Sequence, residues 1–255
     1  MTPRRLGRSD MLLSPIGFGA FKIGRNQGTK YAEAYALPSD AEADALIARV
    51  VDLGVTLIDT APAYGSSEAR VGSALERHGL RERVRISTKV GERFEDGRST
   101  YDFSVEAITR SVTASLAALR TDRIDCLVVH APREDAAVLR DTPVTDALRD
   151  LRERGVIRTM GFSGYTHEAF RLAIAEGYDA LMVEYHPLDT SHRPTLENAA
   201  SAGVGVLVKK ALASGRIPAS EAIPFALAAP AVTSVVIGSL NAENIASAIE
   251  LAAGS

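Results

Sequence analysis

Short apolar runs alternate with longer segments of helical period from residue 55 onward. This alternation is typical of repeated βα units that build a parallel sheet. An apolar run at the N-terminal side adds a first strand to the seven that follow it. The pattern therefore predicts eight strands, at 13–19, 55–59, 84–88, 124–129, 156–162, 179–185, 204–209 and 233–238.

The segments between these runs carry one apolar stripe each, as helices on the outside of a sheet do. Apolar residues recur at i, i+4 and i+7 across 46–53, and Ser39 and Glu42 precede them in the S-x-x-E order of a capping box. Similar stripes occur at 107–119 and at 145–155, the second ending in a glycine that terminates helices well. We expect a helix at each place.

Eight buried strands, each followed by a one-sided helix, fit a chain of 255 residues as a (β/α)₈ barrel of the α/β class. An open doubly wound sheet is the alternative. Gly17, Gly19 and Gly24 near the first strand lack the G-x-G-x-x-G spacing of that fold's dinucleotide loop, which weakens it. No low-complexity linker or change of composition divides the chain, so we expect one domain over 1–255.

Charge and composition narrow the classes of partner. The net charge is −3, from 29 basic and 32 acidic residues, and neither sign forms long blocks that would attract nucleic acid or a membrane surface. Cys126 is the only cysteine and lies in an apolar run, which indicates a buried, inert thiol. Neither a signal-like leader nor a membrane-length apolar stretch is present, so we expect a cytoplasmic protein with a small polar ligand.

Four reactive side chains fall at predicted strand ends, where a barrel of this kind builds its active site. Asp59 ends one strand and Tyr64 lies in the loop beyond, while Lys89 and His130 follow the next two strands. Each alone has an ordinary interpretation: a helix cap, a packed ring, a solvated charge or a structural histidine. Together they fit one proton-transfer mechanism.

The chemistry of that mechanism centres on Tyr64. A phenol has an ordinary pKa near 10, and a neighbouring ammonium such as Lys89 would lower it. A fall of three units needs roughly 4 kcal/mol, which one close cation in a partly dry pocket can supply. Asp59 would hold Lys89 charged and oriented, and His130 would hydrogen-bond a substrate carbonyl or relay a proton.

These residues resemble those of the aldo-keto reductase superfamily, and the resemblance extends over essentially the whole chain. RRLGRSDMLLSPIGFG is similar to that family's N-terminal β-hairpin and first strand, and VTLIDTAPAYGSSEARVGSAL to its Asp/Tyr segment. STK and LVVHAP are similar to its lysine and histidine strands. GVIRTMGFSGY, VEYHP and AVTSVVIGSLNAENI are similar to its fifth, sixth and last strands.

The resemblance implies a barrel oxidoreductase that moves hydride between NADPH or NADH and a carbonyl carbon. In that mechanism Tyr64 protonates the developing alkoxide, Lys89 and Asp59 tune Tyr64, and His130 orients the carbonyl. The cofactor contacts that the resemblance implies are Ala20, Phe21, Lys22, Asp59, Ser163, Gly164, Met182, Lys209, Lys210, Gly238, Ser239, Leu240, Asn241 and Asn244.

The chain departs from the family at several of these positions. The serine-asparagine pair for the nicotinamide carboxamide is Ser163 followed by Gly164, and the glutamine of the sixth strand aligns with Met182. Where many members stack a tyrosine on the nicotinamide, this chain has Lys209 and Lys210. One of these lysines would meet a cofactor phosphate, or both are simply solvated.

The last strand leads into the expected phosphate corner. Asn241 is a good N-cap, and free backbone N–H groups at a helix start bind phosphate. The arginine that grips the 2′-phosphate in many members aligns with Asn244, and the Glu-Asn pair that contacts adenine aligns with Ser247 and Ala248. We expect NADP as the cofactor more than NAD, because NADP is the usual cofactor of the family that the chain resembles.

Two long loops, 21–38 and 91–103, are expected to form the substrate pocket. KVGERFEDGRSTYDFS resembles aldose dehydrogenases of the superfamily, so carbonyl reduction and oxidation of a sugar hemiacetal both stay open. A nucleotide-binding regulatory barrel with little turnover and a Schiff-base isomerase or aldolase are further alternatives. We expect a monomer or weak oligomer and no metal, because the remaining histidines lack ligand spacing.

Overall fold

The computed structural model describes residues 1–29 and 34–254. Residues 30–33 of the expected pocket loop 21–38 lie outside the described residues. The strands are β1 (Arg4–Arg5), β2 (Leu12–Leu13), β3 (Ile16–Gly19), β4 (Leu57–Asp59), β5 (Arg85–Val90), β6 (Glu92–Glu95), β7 (Arg98–Tyr101), β8 (Ile124–His130), β9 (Ile157–Ser163), β10 (Ala180–Glu184), β11 (Gly205–Lys209) and β12 (Val232–Ile237).

The helices lie between and after the barrel strands, as the periodicity predicted. Their bounds are α1 (Asp40–Asp52), α2 (Ser67–Arg77), α3 (Val105–Leu119), α4 (Asp135–Asp141), α5 (Val144–Glu153), α6 (His167–Ala175), α7 (Arg193–Ala202), α8 (Ala219–Leu227) and α9 (Ala242–Ala253).

Eight of the strands in the described chain form a closed parallel barrel in the order β10-β11-β12-β3-β4-β5-β8-β9. Closure comes from β9 and β10, which pair in parallel with Ala180 opposite Gly161. The predicted (β/α)₈ barrel is confirmed and the open sheet is wrong. Because all eight strands run the same way, their carboxyl ends share one rim, and residues at those ends can meet across it.

The predicted N-terminal hairpin is also confirmed, with Arg4 opposite Leu13 in antiparallel pairing of β1 and β2. Its apolar residues Leu6, Met11 and Leu13 are buried in one cluster with side chains from inside the barrel, among them Leu57 and Cys126. The hairpin therefore closes the amino end of the barrel and leaves the carboxyl rim for a ligand.

Local sequence explains the start of α1. Ser39 accepts a hydrogen bond from the backbone N–H of Glu42, and the Glu42 side chain accepts one from the backbone N–H of Ser39. This is the predicted capping box, which satisfies two N–H groups that a helix start leaves unpaired. The helix then buries Leu46, Ile47 and Val50 against the barrel.

The expected loop at 91–103 is wrong in form, because most of it folds as a β-hairpin. β6 and β7 pair antiparallel with Glu92 opposite Tyr101. Asp96 and Gly97 connect them and both have positive φ, 49° and 77°, as a two-residue type I′ turn requires. The hairpin stands at the carboxyl rim and carries Glu92 and Tyr101 to the mouth of the barrel.

Cys126 is buried as predicted, and burial raises the pKa of its thiol to about 12. A thiol in this state stays protonated and is a poor nucleophile. Over residues 1–29 and 34–254, the helices are all too short or too polar to cross a membrane.

Candidate active site

Asp59 and Lys89 form a buried ion pair where β4 and β5 reach the rim. Lys89 Nζ donates to both carboxylate oxygens of Asp59, each over 2.8 Å, and to the backbone oxygen of Thr60 over 2.8 Å. Ser87 Oγ donates to Asp59 Oδ1 over 2.9 Å. The side chains of Lys89 and Asp59 are only 1% and 6% exposed, so the pair holds both charges in fixed positions.

Tyr64 is held beside this pair by a short 3₁₀ helix, Pro62–Tyr64, that starts with a proline. The Lys89 ammonium lies 4.8 Å from the centre of the Tyr64 ring. The ring meets Phe21 edge to face at 4.9 Å between centres, and His130 in the same way at 6.2 Å. The structure thus brings together the four residues that the sequence singled out.

The ionisation of Tyr64 differs from the expectation. Burial raises the pKa of Tyr64 to about 12, and the charge of Lys89, which acts in the opposite direction, does not overcome it. Asp59 cancels much of the lysine's field because its carboxylate lies so close to the ammonium. The predicted lowering of the tyrosine pKa is therefore wrong for the protein without ligand, and the phenol is held protonated at neutral pH.

Asp59 and Tyr64 also act on Lys89. Burial disfavours the ammonium, but the nearby carboxylate and phenol outweigh it, so the pKa of Lys89 lies above its ordinary value. Lys89 stays a cation throughout the physiological range. This agrees with the expectation that Asp59 holds Lys89 charged and oriented.

Glu92 is a site residue that the sequence reasoning missed. Its Oε2 lies 2.6 Å from His130 Nδ1, and its side chain is 10% exposed. Ser99 Oγ, on the second strand of the hairpin, donates to Glu92 Oε1. The Asp96-Gly97 dipeptide was the available signal, because that pair favours a tight hairpin and would have placed Glu92 on a strand beside the rim.

The four predicted catalytic residues face a cavity of about 290 Å³ at the centre of the rim. A cleft of about 600 Å³ continues from it toward the start of α9, and residues such as Lys210 and Gly238 line both spaces. The expected cofactor residues that line these two spaces are Phe21, Lys22, Asp59, Ser163, Met182, Lys209, Lys210, Gly238, Ser239 and Asn244.

Four other expected contacts lie elsewhere. Gly164 lines a neighbouring cleft of about 560 Å³. Ala20 is fully buried in the core, and Leu240 is 36% exposed. Asn241 is the predicted N-cap of α9, and its side-chain oxygen accepts the backbone N–H of Glu243 over 2.9 Å. That bond satisfies one of the N–H groups expected to meet a phosphate.

Lys209 projects from β11 into the central cavity. Its Nζ donates to Ser163 Oγ over 2.9 Å and lies 3.3 Å from the backbone oxygen of Gly164. Burial, reinforced by the charge of Lys210, lowers the pKa of Lys209 to about 7. Lys210 also lines this cavity, and it pairs with Glu184. The two lysines therefore have different surroundings, and neither is simply solvated.

The space beside Ser163 is closed to a larger residue at 164. A Cβ at Gly164 would lie 2.6 Å from the Phe162 ring and 2.7 Å from Asp135 Oδ2. Asp135 is fixed there because its carboxylate accepts the backbone N–H groups of Tyr165 and Thr166. Glycine at this position is thus a packing requirement of the chain.

The cleft between Lys22 and α9 fits an extended nucleotide. Lys22 and Lys210 are the charged residues among the described residues that line it, and both are cations. Asn244 Nδ2 and the backbone N–H of Asn241 both donate to Ser239 Oγ over 3.0 Å, so the far end is lined by neutral polar groups. Positive charge near the rim and polar groups beyond it suit phosphates and a ribose.

Barrel enzymes that place a tyrosine beside a buried lysine, next to a nucleotide cleft, form a class of nicotinamide-dependent oxidoreductases, and this chain has that arrangement. The model of the aldo/keto reductase family matches residues 15–223. The chain therefore belongs to this family and is an NAD(P)H-dependent oxidoreductase.

Named relatives include two enzymes that act on sugars. The 6-dehydroglucose reductase of Novosphingobium aromaticivorans is 28% identical over 232 residues, which cover 86% of this chain and 71% of the relative. The D-threo-aldose 1-dehydrogenase of a Pseudomonas species is 27% identical over 237 residues, which cover 83% and 69%.

Solved structures agree over nearly the whole chain. A Pseudomonas aeruginosa protein assigned to the aldo-keto reductases is 39% identical, with a TM-score of 0.90 over 99% of this chain and 94% of that one. The holo form of an aldo-keto reductase from Bacillus halodurans is 25% identical, with a TM-score of 0.84 over 98% and 90%.

Proposed function

We propose that the protein reduces the carbonyl group of a small, polar, sugar-like substrate, with Tyr64 as the proton donor. The observation that carries this proposal is the fixed Asp59–Lys89 pair 4.8 Å from the ring of a protonated Tyr64. His130 faces the same cavity and would orient the substrate oxygen. Each role depends on a side chain that the barrel holds at its rim.

The nicotinamide cofactor, when bound, supplies the hydride. The residues of the chain control the proton: Tyr64 keeps it at neutral pH, because burial raises the pKa of Tyr64 to about 12. An alkoxide is a far stronger base than a phenolate, so transfer from Tyr64 to the substrate oxygen is favourable once negative charge develops there. Lys89 stabilises the phenolate that remains, through its fixed positive charge.

The cavity lining supports a polar substrate. Arg25, Glu92, Tyr101 and Tyr165 stand around the four predicted catalytic residues. These side chains offer several hydrogen-bond donors and acceptors, as a polyhydroxylated ligand requires. Oxidation of a sugar at its hemiacetal carbon is the second candidate, favoured by the relative named D-threo-aldose 1-dehydrogenase.

For the cofactor, we propose NADP(H) ahead of NAD(H) with modest discrimination. The support is the presence of Lys22 and Lys210 in the lining of the cleft, where Lys210 is also paired with Glu184. Among the described residues the lining has no arginine to bind the 2′-phosphate in a bidentate manner, so the preference should be small. Titrating the protein with both reduced cofactors, and following their fluorescence, measures the ratio of the two dissociation constants.

The test of function uses the purified protein with NADPH and a panel of aldehydes, ketones and keto sugars, and separately with NAD⁺ or NADP⁺ and aldoses. Tyr64→Phe should lower the rate by about 10²-fold to 10⁴-fold, the usual effect of general acid catalysis. Cofactor affinity should stay close to that of the wild type, as measured by the fluorescence of NADPH.

Tyr178→Phe is the matched control, because Tyr178 lies between α6 and β10 and its hydroxyl meets that of Thr145 in α5 over 3.1 Å. That variant should keep its turnover. Undiminished turnover by Tyr64→Phe would reject the role of Tyr64. Tight NADPH binding without turnover of any carbonyl or aldose by the wild type would favour the regulatory barrel instead.

A further inference from the structure

The β6–β7 hairpin brings a carboxylate into contact with the candidate catalytic histidine. Glu92 Oε2 lies 2.6 Å from His130 Nδ1, although the carboxylate is out of line with the N–H direction of the ring. The hydrogen bond from Ser99 Oγ holds the other oxygen of Glu92. Glu92 is therefore fixed by its own hairpin, and the contact with His130 is not an accident of a mobile side chain.

A proton on His130 Nδ1 makes this close contact attractive. An unprotonated ring nitrogen and a carboxylate oxygen both present lone pairs, and at 2.6 Å these would repel each other. Burial alone would raise the pKa of Glu92, but contacts with His130, Ser99 and Arg25 lower it below its ordinary value. Glu92 is thus ionised, and its negative charge favours a proton on His130 Nδ1.

The other ring nitrogen is then the one left for a substrate. His130 lines the central cavity, and its Nε2 has no hydrogen-bond partner within residues 1–29 and 34–254. With Nδ1 protonated, Nε2 of the neutral ring is an acceptor, and Nε2 of the charged ring is a donor. One proton on His130 therefore changes what the cavity offers to an oxygen atom.

We propose that Glu92 is a positioning residue that fixes His130 in its Nδ1–H form, so that the neutral ring holds a substrate hydroxyl and the charged ring holds a substrate carbonyl. The proposal deepens the proposed function, since it assigns to this site a recognition of alcohol at higher pH and of carbonyl at lower pH. Glu92 acts through His130 and touches neither reacting atom.

The charges around His130 define the expected pH dependence. Burial has the largest effect and lowers the pKa of His130 below its ordinary value, while Glu92 raises it. The groups that face the ring from the packed elements are Glu92, Lys89, Lys209 and Tyr64, with Arg25 near Glu92. The charges of the two lysines lower the pKa of His130, as burial does. Glu92 is therefore the contact that favours the protonated ring.

The test is a histidine ¹⁵N NMR titration of the whole protein without substrate, with His130→Gln to assign the signals. The wild type should show Nδ1 protonated in the neutral ring. Glu92→Gln should lose this preference, and the pKa of His130 should fall by about one unit or more, the usual effect of removing a close opposite charge. Glu92→Asp should restore much of both.

Glu95→Gln is the matched control, because Glu95 lies on the same strand, is 68% exposed and pairs with Arg93 instead. Glu95→Gln removes one negative charge, as Glu92→Gln does, and should leave the ¹⁵N signals and the pKa of His130 unchanged. Thermal unfolding by circular dichroism shows whether each variant is folded. The kcat/KM profile of Glu92→Gln should shift to lower pH by the same amount as the NMR titration.

Identical tautomer signals and an identical pKa in wild type and Glu92→Gln would overturn the proposal. An equal shift of the His130 pKa in Glu95→Gln would also overturn the proposal. The shift would then follow from the net charge of the protein and not from the contact between Glu92 and His130. The NMR measurement needs no turnover, so a wrong proposed function and a wrong role for Glu92 are distinguishable.

Discussion

Lys89 joins Tyr64 to the end of β4. Its ammonium has three donors, and the observed acceptors are the two carboxylate oxygens of Asp59 and the backbone oxygen of Thr60. Lys89 also acts on Tyr64, both through its charge, 4.8 Å from the centre of the ring, and through a side-chain hydrogen bond. A fixed ion pair at the bottom of the cavity has direct consequences for stability, because removing one partner leaves the other buried.

Asp59→Asn should lower the free energy of unfolding by about 3–5 kcal/mol, since it leaves the Lys89 ammonium buried without a counter-charge. The double variant Asp59→Asn with Lys89→Met should recover most of the loss. Urea unfolding at neutral pH measures both. Asp52→Asn is the control, because Asp52 pairs with Arg83 at the surface and such pairs contribute about 1 kcal/mol or less. Equal losses for Asp59→Asn and Asp52→Asn would contradict the buried-pair interpretation.

Lys209→Met should stabilise the protein, and more at pH 6 than at pH 9. The pKa of Lys209 is about 7 in the folded chain and 10.5 ordinarily, so between these values the unfolded chain holds a proton that the folded chain lacks. Stability of the wild type therefore rises with pH across this window, and the full penalty applies below about pH 7. Removing the lysine removes that penalty.

The expected gain for Lys209→Met at pH 6 is at least about 1 kcal/mol, or roughly 2–4 °C in Tm for a chain of this size. Thermal unfolding without nucleotide at the two pH values measures it. Lys210→Met is the control, since it loses the ion pair with Glu184 and should gain nothing. A gain for Lys209→Met that is the same at pH 6 and pH 9 would count against the lowered pKa.

Gly72→Ala should destabilise the protein although it lies inside α2. Helix propensity alone favours alanine over glycine by about 1 kcal/mol. A Cβ at Gly72 would, however, lie 2.3 Å from the backbone oxygen of Ala118 and 2.6 Å from Leu119 backbone atoms of α3. Backbone atoms cannot move aside cheaply, and overpacking of this kind costs about 1–3 kcal/mol.

Chemical denaturation of Gly72→Ala measures the outcome against Gly254→Ala, where the nearest atom to a new Cβ is 4.0 Å away. The control should be close to neutral. If Gly72→Ala proved more stable than the wild type, the close approach of α2 and α3 would be wrong.

Ser39→Ala should cost about 1 kcal/mol, the usual value of an N-cap, because the N–H of Glu42 loses its acceptor. Urea unfolding is the measurement. Ser201→Ala serves as the control, since Ser201 is an exposed residue inside α7 whose hydroxyl only donates back to Glu197. If both variants cost the same, the capping box would not be the reason for the loss.

The sequence alone defined the barrel because each strand and helix shows its own period. It also located Asp59, Tyr64, Lys89 and His130, because a polar residue at the end of an apolar run is visible without any tertiary information. Their relation was harder to predict. The lowered pKa expected for Tyr64 failed, because the sequence shows neither the burial of the phenol nor the neutralisation of Lys89 by Asp59.

Glu92 was missed for a different physical reason. A glutamate in a polar segment has the composition of a solvated loop, and only the pairing of β6 with β7 directs it toward His130. The departures at Gly164 and Met182 could be seen in the sequence, but the packing of Asp135 and Phe162 against residue 164 could not.

The crowding at Gly164 constrains how this site can evolve. An asparagine there would meet the carboxylate of Asp135, which the backbone of Tyr165 and Thr166 holds in place. A single substitution that restored the family's serine-asparagine pair would therefore break the start of α6 before it improved any ligand contact. A larger residue at position 164 therefore requires a simultaneous change at Asp135, so the two positions are coupled through the start of α6.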